Sequence, residues 1–511
     1  MKINLQAPEL SAFREAITQH LGLRFEDTKL SELAEALSTR MKASSCSKVD
    51  AYLSYLAASR EEQRALASHL TVPETFFFRM PDHFRALEEA VVPKFLNTNS
   101  HRIRILSAGC ASGEEAYSVA MLMHDCADLR MNAVTIRGVD INPAVIAKAR
   151  QGRYTEWSLR ETPPEMRNRH FHKHGRQIQV NDDIREMVSF EEGNLMDPGA
   201  RFWEKESCDV IFLRNVLMYF SPEAIREVVG RVAECLVPGG YFFMGSAETL
   251  RGLSHEFHLC QTHGAFYYRR RIPGDEAQVK VGSQSSVATP PAKIVRPLIP
   301  EIVPEIQSDW LNTIRLASKR VEDLTGTRKM SQQGGKSTPQ VPRVLLKRPD
   351  VSAAMDLLRQ ERFAEALNEL PPETSASGDA QLLRAVVLAN AGRLAEAELA
   401  CEVLLKSDEL NAGAHYVMAL CREHSADWRG AEVHDQAAIY LDPSFAMPHL
   451  HVGLLARRAE QFGAARRELH QAALLLERED ASRVLLFGGG FSRESLIELC
   501  KRELKACGGT Q

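Results

Sequence analysis

Apolar residues in the first 70 positions recur at intervals of three and four. LSAFREAITQHLGL, LSELAEALSTRMK and VDAYLSYLAAS all carry that period, punctuated by Gly22 and the Ser44-Ser45 pair, and predict a small all-α lead-in. From about residue 100 the texture changes. The β-rich runs RIRILSAG, VTIRGVD, CDVIFLRNVLMYF, GGYFFMGS and GAFYYRR alternate with the helical runs EEAYSVAMLMHDCA, PAVIAKAR and PEAIREVVGRVAECL. Strand and helix in alternation predict an α/β domain with a parallel sheet covered on both faces. Residues 160–190 break the rhythm, with two short alternating segments around Gly175 and Asn181 that predict a small antiparallel β insert.

The last third is helical and periodic. Ala385, Ala419 and Gly453 stand 34 residues apart, as do Ala397, Ala431 and Ala465, and Leu404, Ala438 and Ala472. Small residues at that interval on paired helices are what tetratricopeptide (TPR) repeats use for close helix contacts, and Pro443 closes the middle unit. RQERFAEALNEL at 359–370 resembles NAGRLAEAELAC at 390–401 at an offset of 31, which marks a degenerate first unit. LFGGGFSRESLIELCKREL reads as a glycine loop and a last helix that caps the α-solenoid. Between the two halves, 273–346 is rich in Pro, Ser, Gln and Gly and reads as a flexible linker with one short helical stretch, SDWLNTIRLASKRVEDL. The expected division is 1–82 helical, 83–272 α/β with the insert at about 160–190, 273–346 linker, 347–478 repeats, and 479–511 capping helix and tail.

A chain of 511 residues calls for several domains. Its formal net charge of -4 gives no general attraction to nucleic acid or anionic lipid, so no nucleic-acid partner is expected. The N-terminus lacks an export pattern and no run of about 18 apolar residues occurs, so a cytoplasmic place without membrane insertion is expected. The ten cysteines show neither CxxC spacing nor histidines at zinc-ligand intervals and read as reduced thiols. His170, His172 and His174 alternate along the insert and are expected to face solvent; no metal site is expected.

The chemistry centres on ILSAGCASGEEAYSVAML at 105–122, a glycine turn after the first strand. A nucleoside-triphosphate loop needs GxxxxGK[ST], and no such lysine follows Gly109. A dinucleotide fold wants GxGxxG, whereas here Gly109 and Gly113 are followed by Glu114 and Glu115, which repel a pyrophosphate. Two carboxylates suit a ligand with an ammonium group and a sulfonium centre. Asp140, at the end of VTIRGVD, is placed to accept ribose hydroxyls; Asn194 in GNLMDP can bond an adenine edge, and Arg214, Asn215 and Tyr219 follow the next strand. S-adenosylmethionine fits these groups best.

Five motifs in order, TVPETFFFR, AGCASGEEAYS, GVDIN, GNLMDP and RNVLMYF, resemble the CheR-type chemotaxis-receptor (protein-glutamate) O-methyltransferases, in the subset with C-terminal TPR repeats. The resemblance implies a Rossmann-like class I methyltransferase domain behind an N-terminal helical subdomain. It also implies cofactor contacts at Thr75, Arg79, Glu114, Asp140, Asn194, Leu195, Asn215 and Val216, with Arg79 and Tyr219 near the transferring methyl as catalytic groups. Pro73 occupies a further cofactor position where many members have asparagine, and proline offers neither an amide side chain nor a backbone donor. Phe76, Phe77 and Phe78 read as core.

The implied reaction is methyl esterification of glutamates on methyl-accepting chemotaxis-type receptors. An ionised carboxylate has no proton to lose at neutral pH, so alignment and water exclusion replace a general base. Arg79 would orient a carboxylate by a charge-assisted bond, and Tyr219 would donate near the methyl path. The basic stretch with Arg40, Lys42 and Lys48 would dock acidic receptor helices, the insert resembles a β-subdomain that grips receptor peptides, and the repeats would hold a protein partner or keep the enzyme at its receptor array. The alternative makes the repeats the working part, a scaffold whose methyltransferase fold binds cofactor with little turnover. The missing [DN]PP[YFW] signature counts against amine methylation.

Overall fold

Four amphipathic helices open the chain: α1 (Ala7–Leu21), α2 (Leu30–Ala43), α3 (Val49–Ala58) and α4 (Arg60–Leu70). A computed structural model describes residues 7–71, 74–96, 102–126, 134–246, 248–272, 274, 351–371 and 377–508. The chain divides into two units, Met1–Glu276 and Ala277–Gln511. The apolar stripes of the first helices bury Phe13, Ile17, Leu33, Leu37, Tyr52, Leu56 and Leu66. Inside that bundle, Arg40 forms two hydrogen bonds to Glu62, at 2.8 and 2.6 Å, and the Tyr52 hydroxyl donates to the same carboxylate at 2.9 Å. Arg40, expected on a basic docking face, is therefore committed to an internal pair, because Glu62 is buried and needs a cation. Lys42 and Lys48 remain exposed.

After α5 (Pro81–Ala86) and α6 (Val92–Leu96) the α/β part begins with β1 (Ile103–Ala108), α7 (Glu114–Asp125), β2 (Val134–Asp140) and α8 (Pro143–Gln151). The insert follows: β3 (Arg153–Tyr154), α9 (Pro164–His170), β4 (Phe171–His174), β5 (Gln177–Val180) and α10 (Asp182–Glu186). The sheet then resumes with β6 (Val188–Glu192), β7 (Cys208–Leu213), α11 (Pro222–Cys235), β8 (Leu236–Met244), β9 (Phe257–Thr262) and β10 (Ala265–Arg270).

The main sheet has the order β6-β2-β1-β7-β8-β10-β9. Its first five strands are parallel, while β10 runs antiparallel to both β8 and β9. The expected all-parallel sheet thus ends in a hairpin, since His263 and Gly264, both with positive φ, turn β9 directly into β10 with no room for a crossover helix. RNVLMYF does not continue β7; a 3-10 turn covers Leu217–Tyr219. The order reverses between β1 and β7, and the crevice beyond the strand ends at such a switch point is where open α/β sheets bind ligands. The insert is a separate antiparallel sheet, β3-β5-β4.

In the second unit the 34-residue period becomes geometry. Helices Gly378–Asn390, Ala412–His424 and Ala446–Arg458 alternate with Leu394–Ser407, Trp428–Leu441 and Phe462–Leu476. The positions singled out at that spacing are buried. At Gly453 a Cβ would meet Leu469 Cγ at 2.7 Å, so glycine is what lets its helix approach the next. The degenerate first unit forms Ser352–Arg359 and Phe363–Glu369, and Arg493–Ala506 ends the run. The linker, apart from Gly274, and the helical stretch expected within it lie outside the described residues.

Candidate active site

The carboxyl ends of β1, β2, β6 and β7 open into one cleft. The turn after β1 is sharp: Gly109 has φ +69°, and a Cβ there would lie 2.5 Å from Val216 Cγ2. Glycine is thus required by the approach of the β7 loop. The Gly109 and Cys110 amides bond the Val139 carbonyl at 2.8 and 3.0 Å, which fixes the turn against β2.

Glu114 and Glu115, expected to act together, part company. Successive helical residues point about 100° apart, so one face of α7 cannot present both. Glu115 lines the cleft, accepts from Ser107 Oγ at 2.7 Å and lies 3.5 Å from Arg214 Nε. Glu114 does not line the cleft. It is 1 % exposed and accepts from Ser112 Oγ at 2.7 Å and Ser158 Oγ at 3.3 Å, tying α7 to the turn between β3 and α9. Burial pushes both carboxyls up, opposed at Glu114 by the Ser112 hydrogen bond and at Glu115 by the Arg214 charge.

Asp140 lines the cleft with its two oxygens oriented by backbone: Oδ2 accepts from Ala111 N at 2.9 Å and Oδ1 from Asn142 N at 2.9 Å. Each oxygen keeps a second lone pair for a ligand hydroxyl. Burial raises its carboxyl and the amide bonds counter it. Asn194 and Leu195 also line the cleft, but the Asn194 amide is engaged within the protein, donating to His20 O at 2.9 Å and accepting from Met196 N at 2.9 Å. Thr75, Arg79, Asn215, Val216 and Tyr219 all line it. Pro73 lies outside the described residues. Of the phenylalanine run, Phe77 and Phe78 are core, while Phe76 faces the cleft.

The cations differ in setting. Arg79 makes a single long bond, 3.5 Å to Glu74 O, and its guanidinium lies 5.6 Å from the Phe76 ring centroid. Arg214 is buried, donates through Nη2 to the Arg79 carbonyl, and covers Phe84 at 5.4 Å. Its Nε and Nη1 have no hydrogen-bond partner. Burial lowers its pKa while Glu115 holds it up. Two unsatisfied donors at a ligand cleft fit a planar carboxylate.

Three features were missed by sequence reasoning. Leu21, Leu23, Arg24 and Phe25 wall the cleft, with Arg24 N bonded to Tyr219 O at 2.8 Å; Gly22 marked the end of α1 but nothing marked this contact. Glu248 is buried and accepts the amides of Gly245, Asn215, Val216 and Met218, a role that a lone acid after a strand does not announce. His170, expected in solvent, is 1 % exposed, because it ends α9 against the end of α7, where its Nε2 meets Asp125 Oδ2 at 2.9 Å beside His124. The same Asp125 oxygen also pairs with Arg169 at 2.8 Å.

Residues 73–266 match the family model described as the CheR methyltransferase SAM binding domain, and residues 8–71 match its all-alpha domain. A "Chemotaxis protein methyltransferase 2" of Vibrio cholerae is 34% identical over 48% of this chain and 87% of its own length. The "Chemotaxis protein methyltransferase" of Borreliella burgdorferi is 30% identical over 49% of this chain and 92% of its own. A "Probable biofilm formation methyltransferase WspC" of Pseudomonas putida is 27% identical over 90% of this chain and 97% of its own, so that relative also aligns with the helical second unit.

Proposed function

The chain belongs to the CheR methyltransferase family, and we propose that it esterifies glutamate side chains on the cytoplasmic helices of methyl-accepting chemotaxis-type receptors. It is a methyltransferase whose donor is S-adenosylmethionine. When bound, that donor supplies an electrophilic methyl on a positively charged sulfur. Asp140 would hold its ribose hydroxyls, Arg214 its carboxylate, and Glu115 its cationic groups, with Thr75, Asn194, Leu195, Asn215 and Val216 walling the rest.

The observation that carries the choice of acceptor is the lining itself: Arg79 and Arg214, neither saturated by an acid, stand beside Arg24 and Lys29, with no histidine among the lining residues. A carboxylate acceptor needs a cation to orient it and no base to deprotonate it. Arg79 would clamp the acceptor carboxylate and strip its water. Tyr219, 40 % exposed at the mouth, would donate beside the methyl path. Each turnover removes one negative charge from the target helix, which shifts packing in a helical signalling bundle.

The helical second unit would recruit a protein partner and so place the enzyme at a receptor array. No helix among the described residues is long and apolar enough to cross a membrane. Incubation with tritiated donor and receptor-enriched membranes tests the reading: base-labile label released as methanol supports it, and base-stable label contradicts it.

A further inference from the structure

Arg160 stands just beyond the 3-10 turn Glu156–Leu159, against a ring that lines the cleft. Its guanidinium carbon is 3.7 Å from the Phe76 ring centroid and 4.4 Å from that of Trp157, and its Nη1 donates to the Trp157 carbonyl at 2.8 Å. Phe76 lines the cleft, whereas Trp157 is 67 % exposed. The Phe77 amide bonds the Ser158 carbonyl at 2.9 Å, so this turn is tied to the segment that bears Arg79. Both Arg79 and Arg160 therefore sit against one aromatic ring, and among the described residues neither has a carboxylate partner. Neighbouring Arg167, by contrast, pairs with Glu156.

A guanidinium held against aromatic faces keeps its charge and orientation, and with Nη1 bonded to the Trp157 carbonyl the Nε–Nη2 edge of Arg160 stays open. Such an edge binds a carboxylate in the bidentate manner, with little conformational freedom left to lose. A large indole left in water next to it is the kind of anchor that protein contacts use. We propose that Arg160, framed by Phe76 and Trp157, binds a second carboxylate on the acceptor helix, one or two turns, about 5–11 Å, from the glutamate held at Arg79. Trp157 packs on the helix beside it. The enzyme thereby selects acceptor glutamates with acidic neighbours. This inference rests on the carboxylate-acceptor reading.

The test uses the full-length chain and a purified cytoplasmic signalling fragment of a methyl-accepting receptor. The fragment is prepared in two versions: unaltered, and with the acidic residues three, four and seven positions from the acceptor changed to glutamine. The unaltered enzyme is expected to show a KM lower by about tenfold for the acidic version. Arg160→Met is expected to abolish that preference, with kcat, donor affinity by calorimetry and Tm unchanged, and Arg160→Lys to restore part of it. Trp157→Ala should raise KM for both versions alike. Arg160→Met that retains the preference, or that loses donor affinity and Tm together with KM, overturns the inference. Equal esterification of both versions by the unaltered enzyme overturns it too while leaving the carboxylate-acceptor reading intact. If neither version is esterified, that reading falls and this inference with it.

Discussion

The buried carboxylate of Glu248 accepts the backbone N–H of Asn215 at 2.7 Å, joining the loop after β8 to the loop after β7. It also accepts from Gly245, Val216 and Met218 at 2.7, 2.9 and 3.2 Å. Asn215 sits at φ 59°, a left-handed backbone that asparagine tolerates better than most residues. Glu248 therefore holds the wall of the cleft in shape without lining it.

Glu248→Ala leaves four amides without this acceptor. Loss of about 2–4 kcal/mol of stability is expected, together with at least about tenfold weaker donor binding. Glu248→Gln, which sets N–H donors against N–H donors, should fall between. Thermal unfolding and calorimetry measure both quantities. Donor affinity unchanged in the alanine variant would separate this carboxylate from the site.

Arg79 contributes one long hydrogen bond to its surroundings, so its removal should spare the fold. Arg79→Ala is expected to change stability by no more than about 0.5 kcal/mol. It should lower kcat/KM by at least about a hundredfold. Arg214→Met should instead act first on donor affinity, because its buried donors face the cleft. The contrast is read by donor titration beside initial rates.

The repeat unit carries its own pH response. His451 lies between Asp435, 2.7 Å from Nδ1, and Glu423, 3.0 Å from Nε2, with Arg458 also on Glu423 and the Tyr416 ring beside it. Burial alone would lower its pKa, but the two carboxylates outweigh it and hold the imidazole at about 9. The folded value exceeds the ordinary 6.5, so its stabilisation is complete below pH 6.5 and is lost as pH rises through 9. Burial raises Asp435 to about 6, which penalises the fold as pH climbs from 3.8 to 6. Melting of the repeats should accordingly weaken from pH 6.5 to 9.5 by an amount on the order of 3 kcal/mol, and His451→Gln should flatten that slope.

Gly453→Val places a branched side chain where a Cβ already meets Leu469 at 2.7 Å. A destabilisation of about 1–3 kcal/mol is expected in the unfolding transition of the second unit. Donor affinity measured on the same variant should stay at the wild-type value.

How much of this was legible in the sequence depended on whether a signal was local. The 34-residue recurrence of Ala385, Ala419 and Gly453 is a direct imprint of helix contact distance, and it reappears as helices that start at Gly378, Ala412 and Ala446. The cleft's strand-end residues were legible for the same reason, since Asp140 ends β2 and Asn215 lies two residues beyond β7. Orientation was not. Which of Glu114 and Glu115 faces the cleft is set by the helix phase, and the pairing of Arg40 with Glu62 by tertiary burial. Glu248 and the wall at Leu21–Phe25 come from contacts between segments distant in sequence, and β9 carries too little alternation in FHLCQT to stand out.

Tandem mass spectrometry of the receptor fragment after incubation with enzyme and S-adenosylmethionine tests the central claim most directly. The account predicts one added methyl on a glutamate side chain, removed by mild base and absent with Arg79→Ala. A methyl group on lysine, on another nitrogen, or on nothing in the fragment while donor is consumed elsewhere would contradict it.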